Sequence, residues 1–174
     1  MKIARIHSHL NGHEWILVHQ PKIWREIEEV VKNIDAHQCM TKVSEEKTMR
    51  GKLLYSPAEI NKRFKKELEA CGWSEVRRGY WLRDELIAHF LKHESGVPKG
   101  VAVQLGSGFP DFFGRHLMFF TTGKINVGVD VLPLRQLATR IPGRSLPFED
   151  ALEEMTAQGR SFPPAPLVLV GIAA

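Results

Sequence analysis

The chain has 174 residues, 43% hydrophobic and 25% charged, values of an ordinary globular domain that argue against a disordered or membrane class. Twenty-four lysines and arginines against 20 acids leave a net charge of +4, which permits a nucleic-acid partner without requiring one. The longest apolar runs, such as Ala165 to Ala174, fall short of the ~20 residues a bilayer span needs, and Met1 to Ile6 contains no apolar signal region, so a cytoplasmic chain with no membrane partner is expected.

Taken in chain order, Met1 to Ile6 alternates apolar and polar residues, and Trp15 to Val18 follows an Asn11-Gly12 turn signal; together they predict two paired strands. Pro21 then opens a helix whose Ile23, Trp24, Ile27, Val30, Val31 and Ile34 form one apolar stripe, with Arg25, Glu26, Glu28, Glu29 and Lys32 on the other side. Residues from Ala36 to Lys52 have no periodicity and read as a long loop or short arm. Ser56-Pro57-Ala58-Glu59 starts a second helix, with Ser56 as its cap and Ile60, Phe64 and Leu68 on its buried face, and Cys71-Gly72 ends it.

A strand is predicted over Trp73 to Arg78, and a short helix over Arg83 to Lys92 with Leu86, Ile87, Phe90 and Leu91 buried. Val101 to Gly106 reads as a short apolar strand with a glutamine near its end. Phe109 to Phe120 predicts a strongly apolar helix that must lie against a sheet or another subunit. Ile125 to Leu132 is a strand of alternating apolar positions, suited to a half-covered sheet, and Pro133 stops it. Leu134 to Ile141 and Phe148 to Gln158 predict two more helices around a Pro142 to Ser145 loop. Leu167 to Ile172 predicts a strand buried on both faces. Strands alternating with helices give an α/β domain, with no repeat or linker to divide residues 1–174 into two domains.

Two common chemistries are not expected. His7, His9, His13 and His19 crowd one end, but strand alternation does not bring them into the tetrahedral reach that zinc requires. A serine hydrolase would need a Gly-x-Ser-x-Gly elbow, which the chain lacks. Cys39 and Cys71 stand alone, without metal spacing, and read as reduced thiols. Basic residues cluster at Lys62-Arg63-Lys65-Lys66, Arg77-Arg78 and Arg135-Arg140-Arg144, a distribution that suits either a solvated face or a polyanion.

Several strings, taken together, carry a family resemblance: His7 to Gly12, Ile23-Trp24-Arg25-Glu26-Ile27, Ile34-Asp35-Ala36, Leu54 to Pro57, Val103-Gln104-x-Gly106, Lys124 to Val129 and the tail Pro164 to Ala173. In this pattern the chain resembles the BglII and BstYI type II restriction endonucleases, the BstYI branch more closely. The likeness spans nearly the whole chain, with a divergent stretch from about Gly79 to His116. It implies the restriction-endonuclease-like core of the PD-(D/E)XK class, a short mixed sheet flanked by helices. It further implies a homodimer that clamps double-stranded DNA and cuts short palindromes centred on GATC with a divalent metal, Mg2+.

The same resemblance assigns site residues. The family strand reads Glu-Val-Gln with an aspartate about nine residues upstream, whereas here Ala102 stands at the glutamate position and His93 at the aspartate position, with Glu94 beside it. Gln104 and Glu94 are therefore the candidate catalytic residues, and Glu94 with the Val103 carbonyl the candidate metal ligands. Ser107, Arg144 and Ser145 are the candidate DNA-binding residues, on the loops that face the duplex in the relatives. Two functions follow: a site-specific endonuclease, active or degenerate in catalysis, and a catalytically inactive DNA-binding homologue. An interaction module without DNA affinity is a third. Loss of both metal carboxylates weighs against efficient cleavage, since phosphodiester hydrolysis of this kind relies on the ion to activate water and absorb charge.

Overall fold

Helices and strands alternate along the computed structural model of the chain, which describes every residue except 44–49, 78, 84–99, 106–112 and 143–144. Six strands form one mixed sheet in the spatial order β1 (Lys2–His9), β8 (Leu167–Ala173), β7 (Val127–Pro133), β6 (Val101–Leu105), β5 (Tyr80–Arg83) and β4 (Trp73–Arg77). The central trio β6, β7 and β8 is parallel, and β1, β5 and β4 attach antiparallel at the two sides. A separate two-stranded ribbon pairs β2 (Met40–Val43) with β3 (Leu53–Tyr55). This is the α/β sheet with flanking helices that the sequence predicts.

Alternation along the strands divides the apolar residues into two layers. Trp81, Val101, Val103, Val127, Val129, Val131, Val168, Val170 and Ile172 point to one face and join the larger core with α1 (Gly12–His19), α2 (Pro21–Asn33) and α3 (Pro57–Ala70). Tyr80, Leu82, Ala102, Leu132, Leu167 and Leu169 point to the other, where α4 (Gly114–Thr121) and α6 (Phe148–Ala157) cover them. A four-residue helix, α5 (Arg135–Ala138), follows β7 and adds Leu137 to the larger core.

The helix α2 buries the stripe Ile23, Trp24, Ile27, Val30 and Val31, each worth roughly 1.5–3 kcal/mol of apolar burial. Its Glu26 turns inward as well, held by Arg83 Nη1 at 2.8 and 2.9 Å and by Trp73 Nε1 at 3.0 Å. That charge cluster ties α2 to the ends of β4 and β5. In α3, the Ser56 hydroxyl accepts the Glu59 amide at 3.2 Å, the cap its sequence predicts, and Gly72 takes the left-handed φ of 77° just past its end.

Four expectations need correction. Trp15 to Val18 is helix, not strand: Leu10 and Asn11 take left-handed φ values of 48° and 58°, which turn the chain into α1 instead of back along β1. Gly12 lies so close to β8 that a Cβ there would stand 2.7 Å from the Leu167 carbonyl oxygen. β1 accordingly pairs with β8. The stretch after Ala36 is not all loop, because a 3-10 turn over Ala36–Cys39 leads into the β2–β3 ribbon. Arg83 ends a strand, β5, that pairs antiparallel with both β4 and β6; the rest of the helix expected over Arg83 to Lys92 lies outside the described residues. β7 is buried along its whole length, not half-covered, because it runs between β6 and β8 with helices over both faces.

Candidate functional site

The carboxyl ends of β6 and β7 bring polar side chains together under α4. Gln104 on β6 is in register with Asp130 on β7, and antiparallel Tyr80 on β5 is in register with Gln104, so one row crosses three strands on one face. All three are buried, Asp130 and Tyr80 fully and Gln104 to 2% exposure. From α4, His116 comes down onto this row. Its ring sits over Gly128, where any Cβ would approach the ring within 2.3 Å, and Gly128 is in register with Ala102. The alternation read in β7 is therefore real, but its small and polar side faces a helix rather than solvent.

The chemistry of this row follows from burial. His116 Nδ1 lies 3.1 Å from the Tyr80 hydroxyl, and Nε2 lies 3.4 Å from Asp130 Oδ2, an ion-pair contact. Burial raises the Asp130 carboxyl above its usual range, and His116 partly offsets that rise. Burial, reinforced by the Asp130 charge, pushes the Tyr80 hydroxyl well above its ordinary value, so it stays a neutral phenol.

Of the residues expected from sequence, Gln104 lies in this row, and Val103 lies one position earlier, its side chain packed in the larger core on the opposite face. Ser145 is half-buried and lines a cleft of about 150 Å3 beside the carboxyl ends of β6 and β7, together with Asn61, Phe64, Leu105 and Leu137. Glu94, Ser107 and Arg144 lie outside the described residues. Ala102 is fully buried in an apolar cluster with Tyr80, Leu82, Phe119 and Ile125. Sequence reasoning missed Tyr80, His116 and Asp130. The signal was present for the last two: a lone acid in a β-branched run, and a lone histidine in the apolar segment that becomes α4.

The model of the restriction endonuclease BglII/BglIII family matches residues 4–172. The chain belongs to the BglII/BglIII restriction endonuclease family. No curated protein matches it. Among solved structures, BglII complexed with a DNA 16-mer superposes with a TM-score of 0.68 at 19% identity, covering 98% of this chain and 76% of that one. Free BglII superposes with a TM-score of 0.64 at 18% identity, covering 100% of this chain and 80% of that one. These likenesses establish the fold. Among the described residues no helix is long and apolar enough to cross a membrane.

The divalent metal that the BglII family implies can be tested against this row. A hard cation such as Mg2+ takes oxygen ligands and keeps several waters. The row offers one carboxylate, fully buried, already facing an imidazole nitrogen. Ala102, in the same strand, contributes only a buried methyl group. Among the described residues, no three of the His, Cys, Asp and Glu side chains converge. The described residues of this family member do not fit Mg2+.

Proposed function

We propose that the chain acts on double-stranded DNA as a type II restriction endonuclease-like protein whose hydrolytic centre is degenerate. It recognises a short palindrome centred on GATC as a homodimer in the cytoplasm and no longer cuts efficiently. Family membership and a fold shared with BglII, a protein solved on a DNA 16-mer, support the DNA reading. Ser107, Arg144 and Ser145 are the proposed DNA contacts. Arg144 suits a phosphate or a guanine edge, and the half-buried Ser145 sits beside the cleft at the strand ends.

The observation that carries the degenerate reading is Ala102. It sits fully buried against Tyr80, Leu82, Phe119 and Ile125, and His116 fills the space over its neighbour Gly128. A metal-bearing carboxylate has given way to hydrophobic packing, which leaves fold and recognition intact while removing an oxygen donor that hydrolysis relies on.

A second reading keeps the enzyme active, with Glu94 and the Val103 carbonyl as Mg2+ ligands and Gln104 as the catalytic amide. Its supporting observation is the burial of Gln104 near the carboxyl end of β6. One pair of assays separates the two: plasmid carrying GATC-centred sites with Mg2+ or Mn2+, and a gel shift of the same sites in Ca2+. A specific shift without fragments supports the degenerate reading. Discrete fragments lost in Glu94→Ala support the enzyme. Neither signal overturns both.

A further inference from the structure

Arg140, just past the end of α5, is held by the β2–β3 ribbon at three points. Its backbone carbonyl accepts the Tyr55 amide at 2.8 Å, its Nε donates to the Leu53 carbonyl at 3.1 Å, and its guanidinium carbon stands 4.4 Å from the centre of the Tyr55 ring. Tyr55 is itself buried, so the stack and the Nε bond fix the plane of the guanidinium. Arg5, Arg83 and Arg135 each face a carboxylate, whereas Arg140 forms no ion pair among the described residues. Its two Nη nitrogens have no partner there either, and neither is buried. The outer half of the guanidinium is therefore a rigid fork of N–H donors turned to solvent.

We propose that Arg140 and Lys52 hold phosphates of the DNA backbone, and that the ribbon is the element that carries them. A flexible surface arginine loses rotamer freedom when it takes an anion, but Arg140 is already ordered, so more of its charge-assisted bonding appears as affinity. Lys52 is exposed and directly precedes Leu53, whose carbonyl anchors Arg140, and exposed Arg50 continues the charge along the ribbon. Leu137 and Ile141, on either side of Arg140 in the chain, line the cleft that also holds Ser145, so the ribbon adjoins the proposed base-reading loop. Such contacts set the position of a protein on the duplex and read no sequence. The inference rests on the DNA reading and adds to it a sequence-independent grip.

The test is the salt dependence of duplex binding by the full chain, measured by gel shift in Ca2+ on a GATC-centred duplex and a random one. Each phosphate contact contributes about 0.9 to the slope of log affinity against log salt. Arg140→Ala and Lys52→Ala should each make that slope shallower by about one on both duplexes, and Arg140→Ala should weaken binding about tenfold or more. Arg140→Lys should keep the slope while weakening binding, because the charge stays and the stacked fork is lost. Circular dichroism checks that each variant is folded. Lys52 is exposed, so Lys52→Ala decides the matter even if Arg140→Ala does not fold. A slope unchanged in Lys52→Ala or in folded Arg140→Ala, or a loss confined to the GATC-centred duplex, would overturn the ribbon contacts and leave the DNA reading standing. No complex with the parent chain would overturn both.

Discussion

The imidazole of His116 lies on Gly128, so closely that a single added methyl would stand 2.3 Å from the ring. This contact joins the crossover helix α4 to the middle strand of the sheet and sets where the ring meets Asp130. Gly128→Ala must push the ring off Asp130 or bend β7, and overpacking of this kind costs about 1–3 kcal/mol. Urea denaturation should show that loss, and His116→Ala in the same chain should recover part of it. Additive losses would mean that the two residues do not meet.

Glu26 provides a sharper stability test. Its carboxylate accepts from Arg83 and Trp73, and both ends of the Glu26–Arg83 pair are largely shielded, at 12% and 15% side-chain exposure. Removing one partner of a buried pair leaves the other charge stranded, so Glu26→Ala should cost about 3–5 kcal/mol. A double-mutant cycle with Arg83→Met should return a coupling of at least 1 kcal/mol in order of magnitude. A negligible coupling would make the pair incidental.

Ser56 caps α3, and the helix lines the cleft where Ser145 lies. Loss of the hydroxyl in Ser56→Ala should lower stability by about 1 kcal/mol, measured by chemical denaturation, while Ser56→Asp should retain most of it. Equal losses in both would assign the effect to something other than the cap.

At the DNA, Arg144 is expected to contribute more than Ser145. Arg144→Ala should weaken binding to a GATC-centred duplex by roughly 1–3 kcal/mol, about 5- to 150-fold. If Arg144 takes a phosphate, random duplex weakens equally and the salt dependence becomes shallower. If it takes a guanine, only the specific duplex weakens. Gel shifts at two salt concentrations decide, and unchanged binding to both duplexes would remove Arg144 from the interface.

The sequence made some parts of this fold readable and hid others for physical reasons. α2 and α3 carry their own punctuation, Pro21 and Ser56-Pro57 at the start and Gly72 past an end, and their apolar stripes match their buried faces. α1 misleads because a short apolar run after Asn11-Gly12 fits a strand equally well, and only the close approach of Gly12 to β8 decides between them. β5 was unread because Tyr80, Trp81 and Leu82 are buried on both faces, leaving no alternation to see. Gln104 was visible as the polar end of an apolar strand. The pairing of His116 with Asp130 was not, since it arises only when α4 crosses over and seats its ring on Gly128.

The central claim is that recognition persists where cleavage has been lost, and one experiment addresses both halves. An end-labelled duplex with a GATC-centred site, incubated with excess protein and Mg2+, is split between a native and a denaturing gel. The account predicts a retarded complex that resists competition by random duplex, with the labelled strand intact. A strand cut at a single position, with cutting lost in Glu94→Ala, or no complex at all, would contradict it.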